Sequence, residues 1–288
     1  MKALVIGATG SLGPALRDGL RACGSEVIAT SRGGGSALTA FDLAATPDSW
    51  QLPAADVAYL LAGITSIDRC EGDPVGTHLV NVERTLALAE RLARSGTHIV
   101  CVSTNLVLAG DRPDALVTDR IAPQCAYAAQ KAEVERALLA FGPAAAILRI
   151  TKVAEGLDRL LAGWAERLSV RQPIEPFADL ICAPMPRADV TSALVTLGIR
   201  RLSGLHQIGA DADVSYAEIA RRLAAAMGAD AALVRPTTSA QAGVKLQAKP
   251  RHTTLDARAS LVALGLSTIS TDRTIEALIA RVLAGLSR

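Results

Sequence analysis

The chain opens on KALVIGATGSLG, an apolar run that breaks into glycines at Gly7, Gly10 and Gly13. The run reads as a buried strand and the following GPALRDGLRACG as a helix, so the glycines fall at a strand–turn–helix junction. There, glycine lets the backbone turn tightly and lie against a pyrophosphate. The free N–H groups and dipole of the helix N-terminus favour the anion. An unliganded tight turn would use the same glycines.

The rest of the first half keeps this rhythm. EVIATSR reads as a second strand, LTAFDL as a short third, ADVAYLLAG as a fourth, HIVCVST as a fifth and AAAILRI as a sixth. VGTHLVNVERTLALAERLARSG reads as one long helix, with Leu79, Val82, Leu86 and Leu92 near its inner face. Another helix carries Tyr127 and continues through AEVERALLAFG. Buried, non-alternating strands separated by helices predict an α/β fold, a Rossmann-type doubly wound parallel sheet over residues 1–150. Past residue 150 the pattern loosens, and Pro173, Pro176, Pro184 and Pro186 mark a loop-rich stretch. SYAEIARRLAAAMG and TDRTIEALIARVLAGL read as two later helices. Residues 151–288 are expected to form mainly a smaller C-terminal lobe, with the chain recrossing to the sheet near 187–210.

Composition removes several functions. A net charge of +2 and 3% aromatic residues offer neither the basic patch nor the stacking surface of a nucleic-acid binder. No apolar run has the length of a membrane span, and the N-terminal run is too short for a signal peptide. Cys23, Cys70, Cys101, Cys125 and Cys182 are scattered without C-x-x-C spacing, as in a reduced cytoplasmic protein. The four histidines are equally dispersed, so no metal is expected. Cys125 reads as a reactive thiol or a small packing residue.

Only three tyrosines occur, and Tyr127 stands four residues before Lys131 in QCAYAAQKAEVE. Positions i and i+4 share a helix face. An ammonium beside a phenol favours the phenolate and lowers the tyrosine pKa, as a proton donor working near neutrality requires. The bland alternative is a half-buried tyrosine beside a solvated lysine. Asn81 raises a related question, because asparagine is a poor helix former in mid-helix.

The glycine loop, spaced G-x-x-G-x-x-G, together with Y-x-x-x-K resembles the extended short-chain dehydrogenase/reductase superfamily. LLAGITSIDRCEGDPVGTHLVNVERTLALAERLARSGTHIVCVSTNLVLAG is similar to the core of its nucleotide-sugar members, in particular the dTDP-4-dehydrorhamnose reductase family. The similarity continues in register through LRITKV, GLHQIGADADVSYAEIARRL and KPRHTTLDARASLVALGL.

The resemblance implies an NAD(P)-dependent oxidoreductase that reduces a nucleotide-activated 4-keto sugar in surface polysaccharide precursor synthesis. It places the dinucleotide along Gly7, Thr9, Gly10, Ser11, Leu12 and Gly13, with Asp42 and Leu43 bordering the adenine and Leu61, Ala62 and Gly63 lying beside the cofactor. The second strand ends Ala29-Thr30-Ser31-Arg32, without the acidic residue that binds ribose hydroxyls. A guanidinium with hydroxyl neighbours suits a 2′-phosphate, which favours NADP(H) and leaves NAD(H) as the alternative. By resemblance Thr104 hydrogen-bonds the substrate carbonyl, Tyr127 donates the proton, and Lys131 lowers the tyrosine pKa and holds the nicotinamide ribose. Asn81 supports the active-site backbone. Ser103, Asn105, Lys152 and Arg251 are further substrate-side candidates. Arg251 belongs to a small basic cluster with Lys249 and His252 that could meet a diphosphate.

Two positions depart from the family pattern. The family's S-T-D-Y-V-F is here Ser-Thr-Asn-Leu-Val-Leu, and Lys152 stands where a tryptophan is common. Both changes face the substrate, so a different keto sugar or another anionic substrate fits as well as rhamnose synthesis. The other functions kept open are a nucleotide-sugar epimerase or dehydratase with retained cofactor, and a non-catalytic NADP-binding regulatory subunit. Homodimers are common for such folds, and the sequence specifies no interface.

Overall fold

The computed structural model describes residues 1–286. Its strands are β1 (Lys2–Ile6), β2 (Glu26–Ser31), β3 (Thr39–Ala40), β4 (Val57–Leu60), β5 (His98–Thr104), β6 (Ala145–Ile150), β7 (Ile181–Cys182), β8 (Gly204–Ile208) and β9 (Val214–Ser215). Seven of them form one sheet in the order β3-β2-β1-β4-β5-β6-β8, parallel throughout. The chain winds outward from β1 in both directions. The crevice at the carboxyl ends of β1 and β4 is therefore the topological switch point, where such sheets bind ligands. β7 and β9 pair antiparallel in a separate two-stranded ribbon.

The helices are α1 (Gly13–Ala22), α2 (Ile67–Gly72), α3 (Pro74–His78), α4 (Thr85–Arg94), α5 (Ala126–Leu139), α6 (Asp158–Ser169), α7 (Arg187–Ile199), α8 (Tyr216–Ala226), α9 (Arg258–Leu264) and α10 (Thr271–Leu286). On one face of the sheet Val5, Tyr59, Val100 and Leu148 pack against Leu16 and Leu20 of α1 and Val190 and Leu194 of α7. On the other, Leu4, Leu60, Ile99 and Ile147 meet Leu88 and Leu92 of α4 and Val134 and Leu138 of α5. Burial on both faces is why the strands read as continuous apolar runs. A third cluster, from Leu161 and Leu168 of α6, Ile219 and Leu223 of α8, and Leu278 and Val282 of α10, forms its own core beyond the sheet. Residues 287 and 288, included in the expected C-terminal lobe, lie outside the described residues.

Several elements differ from the sequence reading. The third strand shrinks from LTAFDL to Thr39–Ala40. The long helix is interrupted by a π-helical turn over Leu79–Arg84, between α3 and α4. The wider turn inserts a residue and rotates the helix beyond it. Asn81, Val82, Leu88 and Leu92 therefore point inward, while Leu79 and Leu86 are only half-buried. The proline-marked stretch from Pro173 to Pro186 is loop apart from β7, and it is flanked by two helices that the sequence did not reveal, α6 and α7. Helix α7 is apolar around most of its circumference, since it is wedged against the sheet and α1, and it carries no amphipathic period to read. With β8 it completes the sheet, and α9 covers the same face. Among the described residues no helix is long and apolar enough to cross a membrane.

Candidate active site

The glycine turn is built for close approach. Gly7 has φ +87°, and a Cβ there would stand 2.6 Å from the Ala62 backbone nitrogen. A Cβ on Gly13 would collide with the Ala8 carbonyl. The amides of Gly10 and Gly13 donate to the carbonyls of Gly7 and Gly10, which curls the loop into the first turn of α1. These are the features a dinucleotide pyrophosphate needs, and the residues present fit that group.

Two cavities run from this turn. The first, about 490 Å³, is lined by Gly7, Thr9, Gly10, Ser31, Arg32, Asp42, Leu43 and the segment Leu61–Ser66. It gathers most of the expected cofactor residues. Asp42 accepts from the Ala44 amide, and Ser31 donates to the Gly34 carbonyl, so both also shape turns. Arg69 of α2 faces this cavity too. The sequence reading passed over it, because a lone arginine in a short helix carries no local signal.

The second cavity, about 410 Å³, shares Gly10, Leu61 and Thr65 with the first, so the two form one groove. Ser11 and Leu12 line its near end; Ser103, Thr104, Asn105, Tyr127, Lys131 and Lys152 line its far end. β5 delivers Thr104 at its carboxyl end, in register with Ile150 of β6. Thr104 Oγ1 accepts from the Leu106 amide at 3.2 Å and sits 3.4 Å from Asn105 Oδ1, so it caps the turn after β5 while facing the cavity. Ser103 Oγ is buried without a hydrogen-bond partner among the described residues.

Helix α5 brings Tyr127 and Lys131 to the same wall. Its first amide is held by Glu71, which accepts from the Ala126 N–H at 2.5 Å. Lys131 Nζ donates to the Val102 carbonyl at 3.0 Å. Burial raises the Tyr127 pKa above the usual phenol value, and Lys131 pulls against that shift without cancelling it. The expected lowering is thus corrected in sign. Removing the phenol from water disfavours its anion more than the ammonium favours it. Cys125, just before Tyr127, is buried with its thiol pKa also raised by burial, which makes it a packing residue rather than a reactive thiolate.

Asn81 lies in the π-helical turn, a common location for functional side chains. It accepts from the Ile64 N–H at 2.7 Å and donates to the Ile64 carbonyl at 2.9 Å and to Gln130 Oε1 at 2.8 Å. It thereby clamps the segment beside the cofactor groove to α5. Gln130 and Glu71 do this supporting work without having stood out in the sequence, because their partners lie 49 and 55 residues away.

The basic cluster of the C-terminal lobe does not face the site as a free charge. Lys249 pairs with Asp179, and His252 with Asp213 at 3.0 Å. Arg251 reaches the Asp111 carbonyl at 3.3 Å and is absent from the cavity wall. The segment contributes Ala248, Pro250 and Thr253 instead.

A dinucleotide groove at the switch point of a doubly wound sheet, ending at a Thr–Tyr–Lys wall, defines a short-chain dehydrogenase/reductase of the extended type. The chain belongs to the family of the RmlD substrate binding domain, whose model matches residues 1–284. It is 32% identical over 225 residues to dTDP-4-dehydrorhamnose reductase of Mycobacterium tuberculosis, spanning 69% of this chain and 71% of that one. It is 28% identical over 266 residues to the enzyme of the same name from Streptomyces griseus, spanning 88% and 84%. Among solved structures, a dTDP-4-dehydrorhamnose reductase from Clostridium acetobutylicum superimposes with a TM-score of 0.81 over 98% of this chain and 100% of that one, at 20% identity. The Bacillus anthracis enzyme in complex with NADP gives 0.79 over 97% and 98%, at 19% identity. At these identities the structural likeness speaks for the fold.

Proposed function

We propose that the chain is an NADPH-dependent reductase of a nucleotide-activated 4-keto deoxy sugar, of the dTDP-4-dehydrorhamnose reductase type, working in the cytoplasm on surface polysaccharide precursors. The observation that carries this reading is the meeting of Thr104, Tyr127 and Lys131 on one cavity wall that continues into the glycine-turn groove. The relatives' names supply the substrate class. The absence of an acidic residue at the end of β2, with Arg32 in its place, favours NADP(H), as does the cofactor held by the Bacillus anthracis relative.

The dinucleotide, when bound, supplies a hydride to the carbonyl carbon. The chain's residues manage the oxygen. Thr104 Oγ1 holds its hydrogen only against Asn105 at 3.4 Å, so it is free to donate to the substrate oxygen as negative charge develops there. Tyr127 passes its phenolic proton to the same oxygen, turning C=O into CH–OH. Lys131, fixed by the Val102 carbonyl, stabilises the phenolate left behind and would hold the nicotinamide ribose hydroxyls of a bound dinucleotide.

The test is NADPH oxidation with dTDP-4-dehydrorhamnose and related nucleotide-linked keto sugars, beside Tyr127→Phe. The variant is expected to lose about 10²–10⁴-fold in kcat while still binding NADPH. Equal turnover in both proteins sinks the role of Tyr127. NADPH binding without turnover on any sugar moves the assignment to an epimerase, a dehydratase or a regulatory subunit.

A further inference from the structure

The wall of the 410 Å³ cavity has an unbalanced charge. Among the described residues lining it, the only charged side chains are Lys131 and Lys152, and no aspartate or glutamate is present. Lys131 is accounted for by its bond to the Val102 carbonyl. Lys152 makes no hydrogen bond or ion pair through its side chain among the described residues. The neighbouring carboxylates are committed elsewhere. Glu155 accepts from the Arg187 amide, Asp213 from Thr253, and Asp179 pairs with Lys249 and Ser239.

The backbone of Lys152 is nevertheless fixed. Its carbonyl accepts from the Met185 N–H at 2.8 Å, and the Met185 carbonyl accepts from Ala154 at 2.9 Å. It stands two residues beyond Ile150, the strand partner of Thr104, so it is close to the catalytic wall. Much of the remaining surface is apolar, including Leu106, Val153, Ile181 and Cys182. A ligand filling the cavity would strip water from the ammonium. That is costly unless the ligand brings its own negative charge.

We infer that Lys152 is the anion-recognition residue of the substrate site, pairing with an oxyanion of the substrate other than the keto oxygen. This rests on the nucleotide-sugar reading above. The oxyanion belongs to the linking diphosphate or to a carboxylate on the sugar ring, and one pair of ligands separates the two. For a given nucleotide, the glucose and glucuronate forms share base, pentose and diphosphate, and differ only at C6, a neutral CH2OH in one and a carboxylate in the other.

The experiment is equilibrium binding of dTDP-glucose, dTDP-glucuronate, UDP-glucose and UDP-glucuronate to the NADP⁺-loaded wild type, Lys152→Met and Lys152→Arg. NADPH affinity, measured by fluorescence, reports on folding. The methionine variant is expected to bind at least one class of ligand about tenfold to a hundredfold more weakly, with arginine restoring much of the loss. A loss shared by glucose and glucuronate forms assigns the diphosphate, and a loss confined to glucuronate assigns a sugar carboxylate. Unchanged affinity of Lys152→Met for every ligand that the wild type binds overturns the inference and leaves the reductase reading intact. A wild type that binds NADPH but none of the four sugar nucleotides overturns the nucleotide-sugar reading and this inference with it.

Discussion

Asn81 and Gln130 meet at 2.8 Å between the π-helical turn and α5, and that bond links the wall of the cofactor groove to the helix carrying Tyr127 and Lys131. Gln130 passes the connection on to Thr77 Oγ1 at 2.9 Å. Asn81→Ala would strand the Ile64 amide and carbonyl and the Gln130 carbonyl oxygen. The expected cost is about 1–3 kcal/mol in urea unfolding, with weaker NADPH binding because Ala62 and Gly63 lose their support. Full stability and unaltered affinity would show that the clamp does nothing.

Arg149 of β6 and Glu135 of α5 form a bidentate pair in which both side chains are at least 97% buried, one turn beyond Lys131. Removing one partner strands a charge in the core. Arg149→Met alone is expected to cost about 3–5 kcal/mol, and Arg149→Met with Glu135→Leu clearly less than that. Chemical denaturation of the single and double variants decides this, and an additive double variant would contradict it.

All three tyrosines, Tyr59, Tyr127 and Tyr216, have pKa values raised by burial. The unliganded protein should therefore develop no tyrosinate absorbance near 295 nm below about pH 10. Because these groups favour the neutral form when folded, their contribution to stability is complete below the unfolded phenol pKa and declines as pH rises above it. Lys131→Met removes the opposing pull and should move the Tyr127 titration still higher. A tyrosine titrating near neutrality in the wild type would contradict the geometry.

His78 of α3 sits between Glu133 of α5, at 3.0 Å, and Glu83, at 3.4 Å. The hydrogen bond to Glu133 is the main reason that its pKa is raised. A raised folded pKa stabilises the protein fully below the unfolded histidine value, and the gain disappears as pH rises through the folded value. The Tm difference between wild type and His78→Gln should accordingly be largest near pH 5.5 and shrink above neutrality. A difference independent of pH would exclude the ion pairs as its source.

Arg32 and Arg69 line the 490 Å³ cavity beside the glycine turn, and among the described residues neither guanidinium makes a hydrogen bond or ion pair. Arg32→Ala should weaken NADPH binding about tenfold and leave NADH nearly unchanged. Equal losses for both nucleotides would place the side chain against the adenine or ribose instead of a phosphate.

The parts legible in the sequence were local ones. The strand–turn–helix at Gly7–Gly13, five of the six strands read up to residue 150 and the four-residue spacing of Tyr127 and Lys131 need only neighbouring residues and a known period to be read. Helix α7 escaped because burial on most sides erased its period, and the π-helical turn escaped because one inserted residue leaves no compositional mark.

Tertiary structure decided the charges. Whether Lys249 and His252 are free depends on Asp179 and Asp213, 70 and 39 residues distant. The direction of the Tyr127 shift depends on how much water the assembled cavity removes, against which a lysine one turn away is the smaller effect. Spacing along a helix put that lysine beside the phenol. Burial, which belongs to the folded chain alone, set the balance between them.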